Sequence, residues 1–122
     1  MLKKGFKGRC EKQSIAKCED VCRTYHPIQK EYVKVLSLED EIVTIRCNVL
    51  INALEEGDYT SDIVCTKKNG ELLVRECVYR NHLTKPKTIQ LLNASRNYWL
   101  SHGVRDWGIV VEVACDENEV NA

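Results

Sequence analysis

Two short alternating segments joined by an Asn-Gly pair constrain the fold of this 122-residue chain most strongly. The stretch YTSDIVCTKKNGELLVRECVY runs from Tyr59 to Tyr79, and its residues alternate between two faces on each side of that pair. Asn-Gly tolerates positive φ at both central positions of a tight turn, so the stretch predicts an antiparallel β-hairpin. Asp62 lies near the start of the first predicted strand, and Glu76 lies on an otherwise apolar face of the second.

Helical periodicity flanks the hairpin on both sides. A small helix is predicted over Ser14–Arg23, and a second one begins near Pro27, because proline is favoured in the first turn. This second helix carries an apolar stripe with helical spacing and ends at the acidic LEDE stretch. A third helix is predicted from the TKP stretch to about His102, where Gly103 ends it.

Two further strands complete the predicted order. The segment from Ile42 to Leu54 alternates apolar and polar residues, which is typical of a strand. The mostly apolar stretch DWGIVVEVAC predicts a final strand that is buried on both faces and is central or parallel. The order is therefore α-β-β-β-α-β with an extra N-terminal helix, an α/β sandwich. The chain divides into a basic helical extension (1–24), a core (25–115) and an acidic tail (116–122).

Composition places the chain among globular, cytoplasmic proteins. It holds 30% charged and 43% hydrophobic residues, and no apolar run reaches the roughly 20 residues that cross a bilayer. The net charge of +0 conceals an asymmetry: residues 1–30 sum to +5, and residues 106–122 sum to −5. A basic N-terminal arm favours contact with a phosphate backbone, although a solvated helix face explains the same charges.

The seven cysteines are expected to be thiols, as in most cytosolic proteins. Cys10, Cys18, Cys22 and His26 cluster near the N-terminus, and the last three recur every four residues. On one continuous helix those three would share a face and could hold zinc. No Cys-x-x-Cys pair is present, so buried or unliganded thiols are the default interpretation and a structural zinc site is the alternative.

Two stretches, LLNASRNYWLSHGVRDWGIVVEV and YTSDIVCTKKNGELLV, carry a resemblance to a known family. The chain resembles the N-terminal catalytic domain of the TnsA transposon endonucleases, members of the PD-(D/E)xK superfamily, and the resemblance is clearest in the last third. The first stretch is similar to that family's helix, glycine and Trp-Gly-Ile-Val strand, and the second is similar to its hairpin. The resemblance covers roughly residues 25–113 and is weak before residue 58. It implies a restriction-endonuclease-like core that acts on DNA.

The resemblance also implies a site. Asp62 matches the family's strand acid, and Glu76 matches its second acid in type. The lysine that the family places two residues later is absent, because that position is Val78. The family's helix glutamate falls near Gln29, or one turn away on Glu31. The implied metal is Mg²⁺ or Mn²⁺ between Asp62 and Glu76, which would polarise the phosphodiester and activate a water.

A basic residue could replace the missing lysine. Arg80 follows Glu76 on the same strand face, and Lys85 or Lys87 lies at the next helix start. Without a replacement, loss of one preorganised charge would slow cleavage about 10²–10³-fold.

Three functions follow as hypotheses. The first is a DNA-binding nuclease-fold protein of a mobile element or phage that could act as a weak metal-dependent endonuclease, working as a homodimer or with a transposase-like or other protein partner. The second is a catalytically inactive module that binds a protein, for example an inhibitor of a host defence system. The third is a zinc-stabilised adaptor. The acids also have a plain structural interpretation, since aspartate bonds nearby backbone N–H groups and a buried glutamate needs a partner.

Overall fold

A computed structural model describes residues 11–13, 15–18, 22–51 and 59–112. These form a mixed α/β fold with the following elements: β1 (Glu11–Gln13), β2 (Cys22–Thr24), α1 (Pro27–Ser37), β3 (Ile42–Ile51), β4 (Tyr59–Lys67), β5 (Leu72–Cys77), a 3₁₀ turn (Arg80–His82), α2 (Pro86–Ser101) and β6 (Asp106–Val110). The α-β-β-β-α-β order predicted for the core is confirmed. No helix in the described ranges is long and apolar enough to cross a membrane.

The predicted N-terminal helix over Ser14–Arg23 is wrong. Its described residues include a turn and strand β2, which pairs antiparallel with β1 so that Glu11 faces Thr24. The backbone instead bonds to the main sheet, because Ile45 N–H donates to Lys17 O at 2.9 Å and Cys18 forms a parallel bridge with Ile45. Three residues at helical spacing were too weak a signal against this strand pairing.

The main sheet has four strands in the order β3-β4-β5-β6. Strands β3, β4 and β5 are antiparallel, and β6 returns parallel to β5 after the α2 crossover. The predicted Asn-Gly turn joins β4 to β5; Gly70 adopts a positive φ of 88°, whereas Asn69 does not adopt the positive φ expected of it. The predicted hairpin is therefore confirmed.

The two long helices cover opposite faces of this sheet. Val33 and Leu36 of α1 pack with Ile63 and Cys65 of β4 in one core cluster. Leu91 and Trp99 of α2 pack with Val64 and Val74 in a second cluster. Neighbouring residues of a strand point to opposite faces, so the sheet lies between the helices.

Strand β6 differs from its prediction in one respect. It is parallel, as predicted, but it pairs only with β5 among the described strands and so lies at a sheet edge. Its residues are partly exposed, and Ile109 is 42% exposed. The apolar run was therefore misinterpreted as a strand buried on both faces. Gly103 does end α2, with φ 85° and a hydrogen bond from Val104 N–H to Trp99 O.

Candidate functional site

Strand β3 changes faces at Asn48. Cys47 packs on the α1-side cluster and Val49 packs on the α2-side cluster, although residues two apart in a regular strand share a face. Asn48 lies between them with a φ of 59°, which is a left-handed conformation that few residues other than glycine and asparagine adopt. This local twist inverts the alternation of β3.

The side chains of β4 also change faces, at the position opposite Asn48. Ile63 packs on the α1 side, whereas the Ser61 hydroxyl accepts a hydrogen bond from Trp99 Nε1 of α2 at 2.9 Å. The pairs Cys47–Ile63 and Val49–Ser61 bracket this level, so Asp62 lies opposite Asn48. The first predicted site residue therefore occupies an irregular point of the sheet.

Asp62 and Glu76 join β4 to β5 through their carboxylates. The described ladder between these strands ends at the pair Ile63–Arg75. Just beyond it, Asp62 N–H donates to Glu76 Oε1 at 3.1 Å, and Cys77 N–H donates to Asp62 Oδ2 at 2.7 Å. The two side chains thus accept backbone hydrogen bonds of the kind that carbonyl groups accept in a regular ladder. They keep the strands connected where regular pairing stops.

Glu76 also connects the sheet to α2. It is fully buried, and its Oε2 accepts a hydrogen bond from Ser95 Oγ at 2.6 Å. Ser95 Oγ in turn accepts from Trp107 Nε1 of β6 at 3.1 Å. A buried carboxylate requires such partners, because an unsatisfied one is strongly unfavourable. The chain of bonds from Asp62 through Glu76 and Ser95 to Trp107 links β4, β5, α2 and β6.

The helix position carried over from the resemblance lies beside Asp62. Gln29 is fully buried in the first turn of α1, and its Nε2 donates to Asp62 O and to Asn48 Oδ1, both at 3.0 Å. Its Oε1 accepts from Tyr25 N–H at 2.9 Å. The alternative residue, Glu31, is exposed and contacts Lys34 at 3.7 Å. The structure therefore brings Gln29, Asp62 and Glu76 together and leaves Glu31 outside.

The proposed replacements for the missing lysine point elsewhere. Arg80 is exposed, and its backbone N–H and Nε donate to Oε1 and O of Glu112 at 2.8 and 3.3 Å. Lys85 and Lys87 are exposed at the start of α2. A catalytic role for Arg80 remains a prediction, and its observed contacts give it a different partner.

Sequence reasoning missed two residues of this network. Asn48 was one polar residue in an alternating strand, but asparagine in that setting is a signal for positive φ. Ser95 was a single hydroxyl on the buried face of α2 beside Leu91, Leu92 and Trp99. A hydroxyl among apolar neighbours must find a hydrogen-bond partner, which is the signal that could have paired it with Glu76.

The fit of a divalent cation can be tested on these contacts. Mg²⁺ prefers about six oxygen ligands and usually keeps several waters. The oxygens Asp62 Oδ2, Glu76 Oε1 and Glu76 Oε2 already accept hydrogen bonds, and Glu76 has no exposed surface. A hydrated ion here would require the acids to leave the bonds that join β4 and β5. The described residues fit a structural pair better than a magnesium site.

The residues predicted to bind zinc are only partly described. Cys10 lies outside the described residues, and Cys22 lies in β2. Cys18 packs beside the α1-side cluster, and the His26 ring lies 5.8 Å from the Tyr79 ring. Within the part of the chain that the structure describes, no three His, Cys, Asp or Glu residues group as a metal site would require. The zinc site stays a prediction.

A second polar cluster lies at the start of β6, at the residue before Trp107. Asp106 accepts from Lys67 Nζ and Arg75 Nη2, both at 2.7 Å. Burial acts to raise the pKa of Asp106, but the hydrogen bonds from Lys67 and Arg75 outweigh it and lower that pKa overall. The three charges tie β4, β5 and β6 together.

Unneutralised positive charge is concentrated around α2. Residues 77–105, called here the basic segment, contain no Asp or Glu and hold the five cations Arg80, Lys85, Lys87, Arg96 and Arg105. All five are exposed. None of them forms an ion pair within the described residues; the Arg80 guanidinium instead donates from Nε to the backbone oxygen of Glu112. This surface therefore carries a local positive charge on a chain with a net charge of +0.

Comparison with known proteins adds no relative. No protein-family model matches the chain, and no curated protein is significantly similar to it. The fold and site define the class as a mixed α/β protein with a four-stranded sheet between two helices and a buried acid pair at a strand irregularity.

Proposed function

We propose that this protein binds DNA through the basic segment and that its buried acids stabilise the sheet instead of cleaving DNA. The observation that carries the proposal is the exposed positive charge of residues 77–105, which no acid within the segment neutralises. The resemblance to TnsA-like endonucleases supplies the same partner independently. A mobile-element or phage setting, a transposase-like partner and a homodimer remain part of the proposal.

Charge distribution supports a polyanionic partner. Exposed lysines and arginines of soluble proteins are usually interspersed with acids, which reduces long-range attraction for phosphate. Lys85, Lys87 and Arg96 lack such neighbours in sequence, so they can contact several phosphates and release counterions. The net charge of +0 means that binding would depend on this one surface, not on the protein as a whole.

The hydrogen bonds of Asp62 and Glu76 support a site that does not catalyse DNA cleavage. Asp62 and Glu76 accept bonds from backbone groups of the neighbouring strand, and Val78 occupies the position of the family's lysine. Val78 is itself buried. A nuclease needs acids that can hold a hydrated metal and a charge that supports the attacking water. Here both acids have structural partners and the charge is missing.

Two measurements on the purified protein test this function. Fluorescence anisotropy with a labelled duplex should give a dissociation constant that rises with salt, with a slope of about 3 to 4 in a plot of its logarithm against the logarithm of the salt concentration, for three or four phosphate contacts. Supercoiled plasmid incubated with Mn²⁺ should stay intact. Salt-independent or absent binding would contradict the proposal. Nicking that Asp62→Asn abolishes would instead restore the endonuclease hypothesis.

A protein partner is the second candidate, and a specific cleft favours it. A cavity of about 280 Å³ lies between α1 and the β6 edge, and it is lined mainly by Ile28, Tyr32, Val35, Tyr79 and Val110. Apolar clefts of this kind commonly receive a side chain of a partner protein. Val35→Glu should abolish capture of such a partner and leave DNA binding unchanged, which separates the two candidates.

A further inference from the structure

The outward face of α2 carries a stripe of amides. Gln90, Asn93 and Asn97 are exposed at spacings of three and four residues, so they line one side of the helix. Within the described residues, none of the three side-chain amides has a hydrogen-bond partner in the protein. Lys87 and Arg96 flank this stripe on its two sides. The opposite side of α2 is buried against the sheet.

This composition is unusual for a helix face that only meets water. Asparagine is a poor helix former, and exposed helix positions usually carry residues such as Glu, Lys or Gln. Helix α2 contains no acid, so it has no i,i+4 ion pairs to support it. Two interior asparagines therefore weaken the helix without any compensating contact within the described protein. A partner that bonds their amides would explain them.

The side chains on this face match the edges of DNA bases. Asparagine and glutamine form paired hydrogen bonds with adenine in the major groove, and arginine does so with guanine. Ile89 and Leu100 are 44% and 45% exposed beside the amide stripe, and apolar groups of this kind contact the thymine methyl. The face thus combines amides and apolar groups, with the cations Lys87 and Arg96 at its margins.

The dimensions of α2 suit the same partner. Its 16 residues extend about 24 Å, and the major groove of B-form DNA is wide enough to admit one α-helix. The helix forms an outer layer of the sandwich, so its outward face is not covered by described residues. Lys85 precedes the helix and Arg105 follows it, which places one cation beyond each end.

We infer that α2 is a recognition helix that enters the major groove of duplex DNA. Gln90, Asn93 and Asn97 contact base edges, and Lys87 and Arg96 contact phosphates on the two sides of the groove. This inference rests on the proposed DNA-binding function and names the surface and the mode of binding.

The first test compares two double variants, each of which removes two positive charges from a different part of the surface. The double variant Lys87→Ala/Arg96→Ala is compared with Lys34→Ala/Lys68→Ala, which removes the same charge from exposed positions on α1 and the β4–β5 turn. In anisotropy titrations with a random-sequence duplex, the α2 variant should bind about 10–100-fold more weakly and lose about two units of salt slope. The control should change binding less than about 3-fold, the loss expected for general charge alone.

The second test removes the amides. In Gln90→Ala/Asn93→Ala/Asn97→Ala, alanine raises helix propensity, so the variant is expected to stay folded. Wild type should enrich a short motif from a pool of randomised duplexes. The triple variant should bind unselected DNA within about 3-fold of wild type yet enrich no motif, because phosphate contacts position the protein and base contacts specify the sequence.

The possible outcomes distinguish failure of the proposed DNA-binding function from failure of the inferred role of α2. If wild type binds no DNA, the proposed function itself fails. If wild type binds and both double variants weaken binding equally, binding occurs but α2 is not its surface. Motif enrichment that persists in the triple variant would overturn base reading by α2. Equal affinity for an A-form RNA duplex, whose deep and narrow major groove excludes a helix, would overturn insertion into the groove.

Discussion

Replacement of Glu76 by alanine tests whether the acid pair is structural. The substitution removes the acceptor of two buried hydrogen bonds, from Asp62 N–H at 3.1 Å and from Ser95 Oγ at 2.6 Å. It also leaves a space in a position that has no exposed surface. If the carboxylate keeps β4, β5 and α2 together, its loss should weaken the whole domain.

The expected loss follows from these contacts. A buried donor left without its acceptor costs about 1–3 kcal/mol, and two donors are affected. Removal of a buried carboxylate also relieves a desolvation penalty, which offsets part of that loss. A net fall of about 3–4 kcal/mol in the free energy of unfolding is expected. For a domain of this size, that corresponds to a fall of roughly 10–20 °C in Tm.

The assay is urea unfolding followed by circular dichroism, at neutral pH and without metal. Glu71→Ala is the matched control, because Glu71 lies in the exposed β4–β5 turn and its carboxylate makes no hydrogen bond within the described residues. It should change stability by less than about 0.5 kcal/mol. Glu76→Gln keeps the shape and one acceptor oxygen, so its stability should fall between wild type and Glu76→Ala.

The opposite result would refute the structural role. Acids retained for catalysis are commonly destabilising in the free protein, and their removal then raises stability. If Glu76→Ala unfolds at the same or higher urea concentration than wild type, the hydrogen bonds to Asp62 and Ser95 do not stabilise the sheet. A role in metal binding would then be the better explanation.

Three further predictions follow from single residues. Asn48→Ala should be about 1 kcal/mol less stable than Asn48→Gly by urea unfolding, because glycine adopts the φ of 59° without strain. The pKa of Asp106 is lowered, so its stabilising effect is present above about pH 4 and is lost as pH falls further. The urea midpoint of Asp106→Asn should therefore be lower than that of wild type at about pH 7, and it should depend less on pH than the wild-type midpoint below about pH 4. Burial raises the pKa of Cys65 to about 12, so the free energy of unfolding of the wild type should decline between about pH 9 and 12. The decline should be steeper in wild type than in Cys65→Ala, and the two slopes should differ by at most about 1.4 kcal/mol per pH unit. Equal slopes in either pH series would contradict the assigned cause.

The elements that were predicted correctly have strong local signals. Proline restricts φ at the start of α1 and α2, and glycine permits the positive φ found after α2 and in the Asn-Gly turn. The alternation of β5 placed Glu76 on the same face as Val74, and both side chains are buried. Those signals need no knowledge of distant contacts, which is why the order of the core elements could be predicted.

The errors involve distant partners. The segment around Cys18 became part of a strand arrangement because its backbone bonds to β3, more than twenty residues away. The apolar run of β6 lies at an edge because no described strand pairs with its outer side. Hydrophobic periodicity reports which side chains are buried on average, and it does not report which strand lies next to which.

The candidate site was predicted in part for the same reason. The pattern identified Asp62 and Glu76 as acids on adjacent strands, and their direct hydrogen bond agrees with that placement. Apolar periodicity did not predict the inversion of both strands at Asn48 and Asp62, because alternation of apolar residues continues through it; the only local signal was the asparagine itself. A single residue with positive φ shifts every following side chain to the other face while the sequence pattern looks unchanged.

The buried and outward faces of α2 are linked through this inversion. Because Ser61 points to the α2 side, Trp99 Nε1 can donate to its hydroxyl. Ser95, which lies four residues before Trp99 on α2, donates to Glu76. Apolar packing alone tolerates small rotations of a helix, whereas two directional hydrogen bonds on successive turns fix its rotation and its axial position. A helix that reads base edges requires that precision, since a shift of about 1 Å disrupts paired hydrogen bonds. Under the proposed DNA-binding function, the acid pair would therefore have a role that needs no cleavage: Glu76 would hold α2 in register with the sheet.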